Sequence, residues 1–114
     1  MRIWDIGPKY LCDKHLVAEH GELHSLWSII NNQKKGFSQH PETQRWRGKL
    51  KALYLRHEQL VIELARRSLR HRSPLDKKLA SGRAIQDVYL DSPTKQKEIL
   101  KKRNCYCFKN RLRG

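Results

Sequence analysis

Met1 and Glu22 are the residues whose types and spacing most directly suggest chemistry. A terminal α-amine titrates at about 7.7–8.0, so a useful fraction of it is unprotonated near neutral pH. Such an amine can attack an electrophilic sugar carbon and form a Schiff base, as catalytic lysines do. Arg2 bears on this, because a bulky second residue should block removal of the initiator methionine and leave Met1 first. Glu22 lies one helical turn beyond Glu19, beside an apolar stripe. Like charges in a partly desolvated site raise the pKa of one partner, which allows acid/base work near neutrality. Taken singly, a helical glutamate reads as a solvated surface group and a chain start as a frayed, inert one. The pairing of the two is what suggests an active site.

The rest of the chain suggests what such a site would act on. It carries 25 Lys and Arg against 11 Asp and Glu, for a net charge of +14. An excess of this size favours acidic partners, nucleic acid first and an anionic membrane surface second. The alternative is a solvated cationic surface with no dedicated partner, which self-repulsion in a compact chain makes costly. No apolar run reaches membrane-spanning length, and charged residues interrupt the start throughout, as they would not in a signal peptide.

The elements that must position these groups are helices. Leu16, Leu23, Trp27 and Ile30 recur at three- and four-residue steps, joined by Leu26 and Ile29, and predict a helix over 11–31. Residues 33–41 read as a basic, polar loop, with Pro41 suited to the first turn of a second helix. In that helix Trp46, Leu50, Leu53, His57, Leu60 and Leu64 step along one face. Gly48 lies within the pattern, as a site of close packing or as the true helix start. Arg45, Arg47, Lys49, Lys51, Arg56, Arg66 and Arg67 are expected to form an outer cationic ridge that contacts phosphates. His71-Arg72-Ser73-Pro74 ends the helix, and Leu75–Ala80 can add a short helical piece. Residues 83–91 are ambiguous, and Ser92-Pro93 caps a third helix through about Lys102. Trp4, Trp46, Tyr54, Tyr106 and Phe108 could stack on bases, although Trp46 reads as core and Trp4 as a plug at the bundle end. The expected fold is all-α, a compact bundle of three main helices in a single domain over residues 1–114, with a basic tail from about 104 that could be flexible.

Metal chemistry finds little support in the linear pattern. His20-Gly21-Glu22-Leu23-His24 puts two histidines at i and i+4, but the zinc-protease motif needs glutamate where Gly21 stands. His15, Glu19 and Glu22 share a face, yet carboxylate-bridged di-metal bundles need Glu-x-x-His elements, and the chain has none. Cys12, Cys105 and Cys107 make a poor disulfide framework and suit a reducing cytoplasm. Two cysteines in a Cys-x-Cys pair are weak metal ligands without a second pair, and they read as incidental thiols. No metal and no other cofactor are expected.

The opening residues resemble the small phage-type pyrimidine-dimer DNA glycosylases with abasic-site lyase activity. Arg2, Ile3, Leu11, Asp13, His15, Leu16, Ala18, Glu19, Glu22 and Leu23 carry the resemblance without a gap. It resumes through Lys49-Leu50, Leu53, Arg56, Leu60, Glu63 and Arg67. The resemblance implies a compact three-helix fold and attack of the Met1 nitrogen on C1′ of the damaged nucleotide. Glu22 would stabilise the cationic sugar intermediate and take the proton removed in β-elimination, and Arg2 and His15 would contact DNA around the lesion. Family members kink the duplex and flip out a base opposite the lesion. The chain departs from the phage enzyme at Gly21 and Ser25, both arginine there, at His20, which replaces an aromatic residue, and in a shorter 33–41 loop. An arginine beside a carboxylate holds it ionised and oriented, so its loss bears on dimer specificity. His24, Arg45 or Arg47 are the candidates to compensate.

The reading these features favour is a monomeric, cofactor-free DNA repair glycosylase and lyase of the cytoplasm, associated with the nucleoid and acting on double-stranded DNA. A non-catalytic helical module that binds nucleic acid is its rival from another class. A metal-binding helical protein is the third.

Overall fold

The computed structural model describes residues 2–36, 39–69, 73–103 and 105–108. Among these the chain is helical and has no strand. Four α-helices follow in order: α1 over Asp13–Asn31, α2 over Pro41–Trp46, α3 over Leu50–Arg66 and α4 over Pro93–Lys102. Short 3₁₀ turns occupy Pro8–Tyr10 and Lys77–Leu79, the second inside the stretch expected to add a helical piece. None of the described helices is long and apolar enough to cross a membrane.

α1 and α3 form the body of the core. Leu16, Leu23 and Leu26 of α1 and Leu53, Leu60 and Leu64 of α3 are fully buried, which the three- and four-residue spacing requires of facing helices. α4 adds Leu100, and the chain start adds Ile3, Trp4 and Ile6. Trp4 and Trp46 are both core, as their positions suggested. The stops and starts follow local chemistry: Pro41 and Pro93 stand in the first turns of α2 and α4, behind His40 and Ser92 caps.

The long second helix of the sequence pattern is two helices. Gly48 adopts φ +74°, a left-handed conformation that no helix interior tolerates, and α3 begins after it. The apolar face survives the break, because Trp46, Leu50, Leu53 and His57 are all buried regardless. The break exposes the first amides of α3, which need partners outside the helix. Residues 81–83 provide them. Lys51 N–H donates to the Ser81 carbonyl at 2.7 Å and Ala52 N–H to the Arg83 carbonyl at 3.0 Å, while Arg83 N–H donates to the Gly48 carbonyl at 2.9 Å.

Gly82 sits at the centre of this clasp with φ +82°, and an added Cβ would lie 2.1 Å from the Gly48 oxygen. Both the dihedral and the contact demand glycine. Gly82→Ala is expected to destabilise the chain by about 1–3 kcal/mol or more, measured by urea denaturation. Gly36→Ala, where a Cβ meets nothing within 4 Å, is the comparison and should change little.

Candidate active site

The chain start has neither helix nor strand over residues 2–5 before the Pro8–Tyr10 turn, with Ile3 and Trp4 buried in the core. Its amides therefore cannot join a sheet ladder, and buried N–H groups need acceptors. Side chains of three helices supply them. Arg2 N–H donates to Glu22 Oε2 at 2.8 Å, Ile3 N–H to Glu42 Oε2 at 2.7 Å, Trp4 N–H to Glu19 Oε1 at 3.2 Å and Asp5 N–H to Gln96 Oε1 at 2.8 Å. Four successive amides are thus held by α1, α2 and α4. Met1 lies outside the described residues. The amide that follows it in the chain lies against Glu22.

Two of the three carboxylates are buried and each has a guanidinium. Arg56 grips Glu19 through Nε at 2.7 Å and Nη2 at 3.0 Å, and gives Nη1 to the Ile6 carbonyl. Arg45 holds Glu42 through Nε at 2.7 Å and Nη2 at 3.0 Å, pairs with Asp5 at 2.9 Å, and donates to the carbonyls of Ile3 and Val88. Burial pushes the Glu19 carboxyl above its ordinary range, and Arg56 opposes that. The sequence pattern suggested that like charge between Glu19 and Glu22 in a partly desolvated site would raise one of the two; at Glu19 desolvation is the largest cause and the contributing like charge is Asp5. Glu19 serves as a positioning group. Glu22 is the half-buried carboxylate of the set, with its second face toward open space.

That space is a cleft of about 530 Å³ lined by Arg2, Trp4, Lys14, His15, Ala18, Glu19, Glu22, His40, Glu42, Leu90 and Arg103. It joins the chain start, α1, the residues ahead of α2 and the end of α4. Arg2 is stacked over Trp4 at 4.9 Å and paired with Asp91 at 3.2 Å. Arg103 approaches the same indole at 5.6 Å. Burial lowers the His15 pKa, and Arg103 and Lys14 lower it further. The cleft therefore sets Arg2, Lys14 and Arg103 around Glu22, with the arginine-paired Glu19 and Glu42 also in its lining.

The family model for pyrimidine dimer DNA glycosylase matches residues 1–77. The chain belongs to that family. No curated protein and no solved structure matches it. The matched segment contains the chain start, α1, α2 and α3, and so includes Glu22 and both buried ion pairs.

Within this member of the family, tertiary packing corrects the expected cationic ridge. Arg45 and Lys49 are buried, and Arg56 is turned toward Glu19. Lys49 Nζ donates to Gln86 at 2.7 Å. These three side chains hold the site together and do not form an outer surface. Arg45 is accordingly not available to replace the arginine missing at Gly21, and His24 is engaged with His57 at 3.1 Å and the Ser73 carbonyl at 3.1 Å. Arg47 and Lys51 are exposed, as a phosphate-binding role requires. Arg66 and Arg67 both pair with Glu63, and Arg67 also reaches Asp13 at 2.9 Å and the Pro8 carbonyl at 3.1 Å. The basic tail beyond Phe108 and the His71-Arg72 stop lie outside the described residues.

Linear reasoning missed Glu42, Lys14, His40 and Arg103. Glu42 follows Pro41 and reads as an ordinary first-turn acid; only the incoming chain start makes it a buried acceptor. Arg103 sits at the end of α4, where a cation is expected for the helix dipole alone.

Two outcomes follow from these pairings. Arg45→Leu removes the guanidinium but leaves Glu42 and Asp5 behind, and is expected to cost about 3–5 kcal/mol in chemical denaturation. The Glu63 carboxyl is held below its ordinary range by hydrogen bonds from Arg66 and then Arg67. A depressed carboxylate contributes stability above its unfolded pKa and loses it as pH falls through the folded value. Glu63→Gln should therefore lower stability by about 1 kcal/mol at neutral pH, with the difference from wild type shrinking below about pH 5.

Proposed function

We propose that this chain is a pyrimidine-dimer DNA glycosylase with abasic-site lyase activity, using Met1 as nucleophile and Glu22 as the acid/base and electrostatic group. The observation that carries this reading is the 2.8 Å hydrogen bond from Arg2 N–H to Glu22 Oε2 at the edge of a cationic cleft. Arg2 nitrogen is bonded to the carbonyl carbon of residue 1 by a peptide bond of about 1.33 Å. The α-amine of that residue is two bonds further along, and this short covalent reach is what supports pairing it with Glu22. Membership in the family supports the same substrate class.

In the proposed reaction the unprotonated amine attacks C1′ and the C1′–N bond breaks, its electron pair leaving on the base, which takes up the proton that the attacking amine loses. The nitrogen lone pair then opens the sugar ring, O4′ taking a proton from solvent, and gives a protonated imine at C1′. Glu22 stabilises the positive charge that develops, then takes a proton from C2′, and the electrons released expel the 3′ phosphate. Arg2, Lys14 and Arg103 are placed to receive phosphates at the cleft, and Arg103 stands in for cationic character lost at Gly21 and Ser25. His15 lines the same cleft. Arg47, Lys51 and the exposed side of Arg66 extend the phosphate track. The chain acts on double-stranded DNA as a monomer.

Borohydride reduction in the presence of abasic-site duplex tests this. A covalent protein–DNA adduct is expected with the native chain and should disappear when residues are added ahead of Met1. Glu22→Gln should cut strand cleavage by at least ~100-fold while duplex binding persists. Salt-sensitive binding without an adduct would instead support the non-catalytic nucleic-acid-binding module.

A further inference from the structure

We propose that Cys12, His15, Cys105 and Cys107 form a structural zinc site that fastens the chain after α4 to the start of α1. Cys12 is the N-cap of α1, and His15 follows at a spacing that returns its side chain to the same end of the helix. Cys105 and Cys107 arrive from beyond α4 to complete the group. One ligand atom from each of the four lies within 4.8 Å of all the others. Cys12 Sγ is 3.1 Å and Cys107 Sγ 3.3 Å from His15 Nδ1. A tetrahedron built on Zn–S of about 2.3 Å and Zn–N of about 2.0–2.1 Å has edges of roughly 3.5–3.8 Å, so modest adjustment seats the ion.

Hydrogen bonding accounts for the edge of the cluster, where Cys105 Sγ donates to the Leu100 carbonyl at 3.6 Å, but poorly for its centre. Nδ1 of a neutral imidazole offers one lone pair or one N–H, yet two sulfurs crowd it and a third stands beside them. A metal gives each of the four atoms its own partner. The outer contacts also suit thiolate ligands: Cys12 N–H donates to Cys107 Sγ at 3.1 Å, and outer partners of this kind orient metal ligands. Three thiolates, a neutral imidazole and Zn²⁺ sum to one negative charge, which a chain of net charge +14 accommodates, with Arg103 and Lys14 close to His15.

Four protein ligands leave no open position, so the role is structural. The segment is also packed into the core, with Cys107 and Phe108 buried; Phe108 stacks on Tyr10 at 5.3 Å and donates its N–H to the Tyr10 carbonyl at 2.8 Å. Phe108 does so at φ +62°, an uncommon conformation for a bulky residue. Arg103 of the cleft is two residues from the first of the paired cysteines, so the ion would hold the end of α4 in place at the site. His20, His24 and His57 make a second cluster, with nitrogen donors only, and this difference makes the experiment decisive.

Reduced, metal-free protein titrated with Co²⁺ should bind one equivalent and develop the strong visible bands of a tetrahedral ion. A near-ultraviolet thiolate-to-cobalt band should accompany them, and zinc should displace both. Cys12→Ser and Cys107→Ser should each weaken zinc binding by more than the ~10–100-fold that follows loss of an outer partner, and His24→Ala should leave the spectrum unchanged. A cobalt spectrum without the thiolate band would overturn the proposal on the native chain alone, even if the cysteine variants fail to fold. So would undiminished binding in those variants, or metal lost only in His24→Ala.

Discussion

A non-helical segment packed among helices must find acceptors for its amides, and this constraint organises the molecule. A buried N–H left without a partner costs about 1–3 kcal/mol, and residues 2–5 present four amides in succession, those of Ile3 and Trp4 buried and the outer two half-buried. The helices answer with carboxylates at Glu22, Glu42 and Glu19 and an amide oxygen at Gln96. Carboxylates brought inside need positive partners in turn, and Arg45 and Arg56 are drawn in to meet them. Amide, carboxylate and guanidinium form one chain of dependence, and removing any link leaves a buried group unsatisfied.

The same network separates the roles of the three glutamates. Glu19 and Glu42 are almost fully buried and each is clamped by an arginine, which makes them scaffold. Glu22 shares the task of holding the chain start but keeps a face in the cleft, with cations on the rim. An acidic group with one fixed contact and one open side can meet a substrate without first breaking a strong ion pair. The first described amide of the chain is thereby held at the one carboxylate of the three that no arginine clamps.

The basic composition divides in a way that counting charges does not reveal. Part of it is internal, as Arg45, Lys49 and Arg56 show, and part is neutralised at the surface by Glu63 and Asp13. What faces the cleft comes from distant places: Arg2 at the start, Lys14 in α1 and Arg103 at the end of α4. The cationic lining of the cleft is in this case assembled across the fold and is not carried on one helix.

The apolar periodicity of α1 and α3, the proline-led starts of α2 and α4 and the all-α class were all legible in the sequence, because they depend on residues a few positions apart. So was the family, through the resemblance of the opening residues to the one whose model matches residues 1–77. The break at Gly48 was ambiguous, since a glycine's dihedral is decided by the clasp from residues 81–83. The inward turn of Arg45 and Arg56 was hidden, because an arginine between apolar positions looks the same whether water or a buried carboxylate receives it. Cys12 and His15 lie about ninety residues from Cys105 and Cys107, and a Cys-x-x-His followed so much later by Cys-x-Cys looks like scattered thiols until folding joins the two ends. Short-range periodicity is written in neighbouring residues; partners for buried charge and metal-ligand geometry arise only when segments far apart in the chain meet in space.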